Sequence, residues 1–251
     1  MSHLRWLALI GIVSVSAMLG GCSGQLHWYV VSPLTDAGRT NLFFLLGGLK
    51  YTLLLSLTAI LISVLTGLLV ALPGLSTKPL WRGFNRVYVE VVRSVPVLVL
   101  ILWVYYGLPI IMGIAVSVFW AGVIALALSD SAFEAEIFRA GIQSIDRGQV
   151  EAADSLGLTY IDRMRYVVLP QAIRRVLPPL GNQLVYMLKM SSLVSVIGME
   201  ELTRRANELV TSQYRPLEIY TVLVLEYLLL ILLVSAAVRK LERRLSPETG
   251  V

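Results

Sequence analysis

The sequence predicts an all-α, polytopic membrane protein. Three observations carry that expectation. Apolar residues make up 57% of the 251 residues and charged residues only 15%, a composition too apolar for a soluble surface. Several windows approach or exceed the roughly 20 apolar residues that cross a bilayer. The one long polar insertion, residues 146–170, has the periodicity and caps of two short helices.

Taken in order, the chain opens with Arg5 and a short apolar run over 6–22. Two readings of this run stay open. The favoured one is a retained first helix with its positive end inside; Leu19-Gly20-Gly21-Cys22 also resembles a bacterial lipoprotein cleavage box. Residues 24–46 are mixed, with Trp28 and Tyr29 suited to an interface belt. Together, 1–48 are expected to form an N-terminal hydrophobic segment and a periplasmic linker. A long helix over 49–72 is expected to stop at Pro73-Gly74. Residues 77–92 alternate basic and apolar side chains, as an amphipathic surface helix does. Further spans are expected from 93 to about 109, from 116 to 140 after a turn near Gly113, from Pro178-Pro179 to about 198, and over 217–238. A basic stretch and a cytoplasmic tail, 246–251, close the chain.

Orientation follows from the basic residues. With the N-terminus inside, only Arg39, Lys50, Arg204, Arg205 and Arg215 fall outside and only Lys189 lies within a span; the other 15 of the 21 Lys and Arg face the cytoplasm. That bias obeys the positive-inside rule and places residues 146–170 in the cytoplasm. Arg93 and Arg139 read as interface anchors.

Within the insertion, Asp146 with Gln149 and Thr159 with Asp162 have the spacing of reciprocal capping boxes. Gly157 suits the left-handed position that ends a helix, and Pro170 is expected to stop the second one. The pattern Glu151-Ala152-Ala153, then Gly157 and Leu158, then Leu169-Pro170, resembles the EAA loop of permease subunits of ATP-binding-cassette importers. The flanks GQVEAADSLGL and VLPQAIRRVLPPLGNQL are similar to the polar amino-acid branch of that family.

The resemblance covers 49–245. It implies a type I importer permease fold with about five core transmembrane helices, to which the N-terminal run adds one, in the inner membrane of a bacterium. It implies partners: a cytosolic ATPase dimer, a second permease subunit, a periplasmic solute-binding protein and membrane lipid. It also implies that Glu151, Ala152, Ala153, Gly157, Leu158 and Pro170 form the element that the ATPase grips.

The residues exclude other classes. No Gly-Lys dipeptide exists, so the phosphate-cradling loop of an ATPase is absent; ATP and magnesium are expected on the partner, with no cofactor on this chain. His3 and His27 are the only histidines, which leaves no catalytic constellation. A single cysteine offers neither a disulfide nor a zinc pattern, and no basic stripe interleaved with aromatics points to nucleic acid.

A substrate path is sought among polar groups inside spans, which are costly there and face the bundle interior. Asn182, Tyr186, Lys189 and Ser192 fall on one helical stripe, and Asp130, Ser131 and Glu134 on a face of the preceding span. The stretches LSDSAFEAEIFRAGI and LVYMLKMSSLVSVIG resemble pathway-lining helices of the family. A cation and acids around a cavity suit a zwitterionic solute, with Lys189 near its carboxylate; a structural pair of Lys189 with Asp130 or Glu134 is the competing expectation. Met190 and Glu226 depart from the family pattern, and Glu226 is a second candidate partner for Lys189. Three other functions stay open: a permease for another small solute such as an opine or phosphate, a secondary transporter, and a lipoprotein-like membrane anchor suggested by Cys22 alone.

Overall fold

The computed structural model describes residues 26–245, all of whose regular elements are helical. The apolar run at 6–22, Cys22 and the tail from 246 lie outside the described residues. Helix α1, Asp36–Leu46, is followed by α2, Leu49–Gly74. Helix α3, Pro79–Ser94, then meets α4, Val97–Met112, at a bend of 93°. Helices α5, Val118–Gln143, and α6, Arg147–Ser155, lead to α7, Tyr160–Arg163, and α8, Leu169–Met190. After a 3-10 stretch, Ser191–Ile197, come α9, Leu202–Gln213, and α10, Pro216–Leu245.

The centre of the bundle is α5. Its most apolar window is 67% buried, against 11% for that of α10, so α5 is wrapped by protein while α10 presents its side to lipid or to another subunit. The sequence explains this position. Ala121, Gly122, Ala125, Ala127, Ala132 and Ala135 are buried along α5, and small residues let helix backbones approach where there is no hydrophobic driving force between them. Leu55, Ala59 and Ile60 of α2, Ile101 and Val104 of α4, and Met187 of α8 complete the main core around it.

Three expectations are corrected. The linker before residue 49 contains α1: Thr35 Oγ1 accepts from Gly38 N at 3.1 Å and starts a helix that runs almost unbroken into α2. At the joint, a Cβ on Gly48 would come within 2.6 Å of Leu202 N, so the chain passes too close to α9 for any side chain.

Pro170 does not stop a helix. It sits in the first turn of α8, where no backbone donor is needed. A π-turn, Met164–Val168, precedes it, with Leu169 N bonded back to Met164 O. The same device precedes Pro109, where the π-turn is Trp103–Gly107. Pro178 and Pro179 lie inside α8 and do not start it.

Glu201 ties α9 to α10. Its Oε1 accepts from Arg204 N at 2.7 Å and caps α9, and its Oε2 accepts from Tyr227 OH of α10 at 2.8 Å. Burial pushes this carboxyl above the usual range, against the pull of those hydrogen bonds.

Candidate functional site

The polar insertion, residues 146–170, folds as a braced knob. Asp146 Oδ1 accepts from Gly148 N at 2.6 Å, so it caps α6. Gln149 does not reciprocate; its amide is 3.5 Å from Gln171. Gly157 has φ 73°. Leu158 N donates to Ala153 O at 3.2 Å and Gly157 N to Asp154 O at 3.0 Å, the bond pair of a Schellman stop. Thr159 then starts α7 by accepting from Asp162 N at 3.2 Å.

A brace that the sequence did not disclose joins the two helices: Arg163 Nη1 donates to both carboxylate oxygens of Asp154, at 2.5 and 2.7 Å. Arg175 of α8 donates to Ser144 O and holds the entry to the knob. A double-mutant cycle on Arg163→Ala and Asp154→Ala should return a coupling of about 0.5–1 kcal/mol. Hydrogen exchange of the knob amides reads it; purely additive losses would mean that the pair does not brace.

The knob divides its residues between an inner and an outer side. Ala153 is buried, and Val150, Met164 and Val168 pack it onto Ile145 and Ala172 below. Glu151, Ala152, Gly157 and Pro170 are exposed, and Leu158 is half-buried. Leu156, Tyr160 and Ile161 stand out around Gly157 at 80%, 67% and 73% exposure. This is a braced projection with an apolar rim, and large exposed apolar patches mark interaction sites.

The interior polar residues form a separate group. Asp130 is buried and accepts from Ser63 Oγ of α2 at 2.8 Å and from Gln183 Nε2 of α8 at 3.0 Å. Ser131 shares a 2.7 Å hydrogen bond with Tyr88 OH of α3. Glu134 is fully buried against Gly67, and neither of its oxygens has a described partner. Asp130 and Ser131 therefore fasten four helices, α2, α3, α5 and α8. Ser63, Gln183 and Tyr88 were the missing partners. The rule that polar groups inside spans face partners would have found them.

Lys189 points elsewhere. It is exposed on the last turn of α8, where a cation complements the helix dipole. It forms no ion pair with Asp130, Glu134 or Glu226. With Asn182 and Tyr186 it lines a cavity of about 420 Å³, closed on the α10 side by Ser235, Arg239 and Glu242. Ser192 lies past the end of α8, in the 3-10 stretch, and donates to Lys189 O at 2.7 Å. Both oxygens of Glu226 are buried without a described partner.

The comparisons with known proteins fit a helical membrane bundle. Residues 60–247 match the family described as "Binding-protein-dependent transport system inner membrane component". The glutamine transport system permease protein GlnP of Escherichia coli (strain K12) is 36% identical over 222 residues, 88% of this chain and 98% of that protein. The arginine transport system permease protein ArtQ of Bacillus subtilis (strain 168) is 36% identical over 202 residues, 80% of this chain and 92% of that protein. A chain of the crystal structure of an amino acid ABC transporter with histidines is 43% identical with a TM-score of 0.77, over 82% of this chain and 96% of that one. A chain of the MetNI methionine ABC transporter, at 23% identity and a TM-score of 0.69, shares the fold. A helical bundle centred on α5, carrying a capped and braced knob and matched by these relatives over nearly their full lengths, belongs to the family of inner membrane components of binding-protein-dependent transport systems.

Proposed function

We propose that this chain lines the path of a polar amino acid through an ATP-driven importer, and that its knob is the handle by which a cytosolic ATPase dimer moves it. A second permease subunit completes the path, and a periplasmic binding protein delivers the solute. ATP and magnesium bind the ATPase. The observation that carries this reading is the knob: a stiff, capped projection with an apolar rim around Gly157, seated on the bundle through Val150 and Met164. The glutamine, arginine and amino-acid importers among its relatives support the solute class.

The movement is a rigid-body switch between two packings. A brace such as Arg163–Asp154 suits a lever that must transmit displacement without yielding. The α8–α10 face, with Lys189, Tyr186 and Asn182 around one cavity, is the stretch proposed to meet the solute. There Lys189 offers a cation to a carboxylate.

The test is uptake by the complete importer in proteoliposomes, with the binding protein loaded with glutamine or arginine in turn. Uptake requires ATP and stimulates its hydrolysis. Transport that persists with no ATPase subunit present would refute the reading. Lys189→Ala should cut uptake by about tenfold, the value of one good polar contact near 1.4 kcal/mol, with assembly unchanged. Undiminished uptake would remove Lys189 from the path.

A further inference from the structure

Helix α3 carries three different faces, and one of them forms a site that coupling and transport do not use. Asn85 and Val89 are buried against the bundle. Asn85 Nδ2 donates to Val70 O at 2.8 Å, and Val89 packs on Ala71 and Ala135. Leu80, Phe84, Val87 and Val91 form an exposed apolar stripe, with Trp81 beside it. Arg82, Arg86, Glu90 and Arg93 recur at helical spacing as a charged stripe at the edge of the bundle contact. Between the charged and apolar stripes lies Gly83, where a Cβ would meet nothing within 4 Å.

The charged stripe faces α5 across a cleft of about 340 Å³, lined by Arg82, Arg86, Glu90, Glu136 and Arg139. Arg93 neutralises Glu136 in an ion pair and stacks over Phe133, 4.6 Å from its ring centre. Arg139 is held by Gln143 Oε1 at 2.8 Å. None of Arg82, Arg86 and Arg139 has a carboxylate partner among the described residues. Three guanidinium groups thus share a cleft in which Glu90 is the one unneutralised acid.

We infer that this cleft binds the phosphate headgroup of an anionic phospholipid from the cytoplasmic leaflet. Charge supplies the first argument: guanidinium forks match phosphate oxygens in pairs, and three forks against one acid leave a net attraction for a monoanion. Place supplies the second. These arginines belong to the basic set that the positive-inside rule assigns to the cytoplasm, where anionic headgroups lie, and basic pockets between membrane helices on that side bind such headgroups. Shape supplies the third: the open strip at Gly83 leads from the cleft to the apolar stripe, so acyl chains have a surface to follow.

The probe is phosphatidylglycerol. The complete importer is reconstituted in nanodiscs of phosphatidylethanolamine doped with phosphatidylglycerol, then extracted, and the retained lipid is counted by mass spectrometry. Wild type should retain phosphatidylglycerol above its bulk ratio, and R82Q/R86Q should retain roughly tenfold less. K78Q/K240Q removes two cytoplasmic charges outside the cleft and should behave as wild type. Retention by wild type at the bulk ratio overturns the inference without any variant. Equal losses in both double variants overturn it too, since they reduce the effect to general surface charge. Release of the lipid by millimolar inorganic phosphate would make the cleft a small-anion site and overturn the lipid assignment.

Discussion

Gly157→Leu should abolish co-purification of the cytosolic ATPase while the chain still inserts in the membrane. The backbone at Gly157 is left-handed, with φ 73°. A side chain there costs about 1–2 kcal/mol in that conformation. Among the described residues, nothing beyond its chain neighbours lies within 4 Å of where the Cβ would stand. The protein itself therefore has room for leucine, and the obstruction falls on whatever the knob enters.

If the backbone escapes the strain by turning right-handed, it breaks the bonds from Leu158 to Ala153 and from Gly157 to Asp154. The relative angle of α6 and α7 then changes, and the knob loses its shape. Gly157→Asn separates the two effects, because asparagine tolerates the left-handed region better than most residues. The expected order of ATPase recovered with the purified permease is wild type, then Gly157→Asn, then Gly157→Leu, with the last reduced by about tenfold or more, which is about 1.4 kcal/mol. Unchanged recovery for Gly157→Leu would refute the coupling role of the knob.

The knob was legible in the sequence because caps and glycine stops are local. Asp146, Gly157 and Thr159 act within a few residues of themselves. The salt bridge from Arg163 to Asp154 was not, since it depends on the angle that the Schellman stop sets between two helices. The long apolar runs marked α2, α5 and α10. Helix α1 escaped because Asp36, Arg39, Thr40 and Asn41 interrupt its apolar pattern.

Prolines misled for a definite reason. They end a helix when they remove a needed donor, but the π-turns before Pro109 and Pro170 reset the bonding so that each proline falls in a first turn. Helical spacing grouped Asn182, Tyr186 and Lys189 on one face, and they do share a cavity. It could not extend to Ser192, which lies where the 3.6 period has given way to a 3-10 stretch. Nor can spacing say what a face looks at: Gln183 and Lys189 stand on different sides of α8, one clasping Asp130 of α5 and one open.

Gly67→Leu should prevent recovery of a folded bundle, and its effect should exceed that of removing the Asp130 clasp. Helices α2 and α5 make the most extensive helix contact among the described residues. A Cβ at Gly67 would overlap Glu134 Cβ and lie 3.0 Å from Ser131 O and 3.1 Å from Ala135 N. Two of those three neighbours are backbone atoms of α5, which cannot rotate away. The helices must separate, and overpacking of this kind costs typically about 1–3 kcal/mol, occasionally more.

Separation also strains the hydrogen bond from Ser63 to Asp130, which spans the same seam. The clasp alone weighs less, because hydrogen bonds between membrane helices average about 0.6 kcal/mol. Asp130→Ala loses two of them, for about 1–2 kcal/mol at most. Asp130→Asn keeps both geometrically possible, since its oxygen can accept from Gln183 and its amide can donate to Ser63 Oγ. Thermal melting of the purified complex should therefore rank Asp130→Asn near wild type, Asp130→Ala a few degrees below, and Gly67→Leu unrecoverable or lowest. Were Gly67→Leu to melt above Asp130→Ala, close approach of small residues would not be what holds α2 to α5. The polar clasp would then have to carry the bundle.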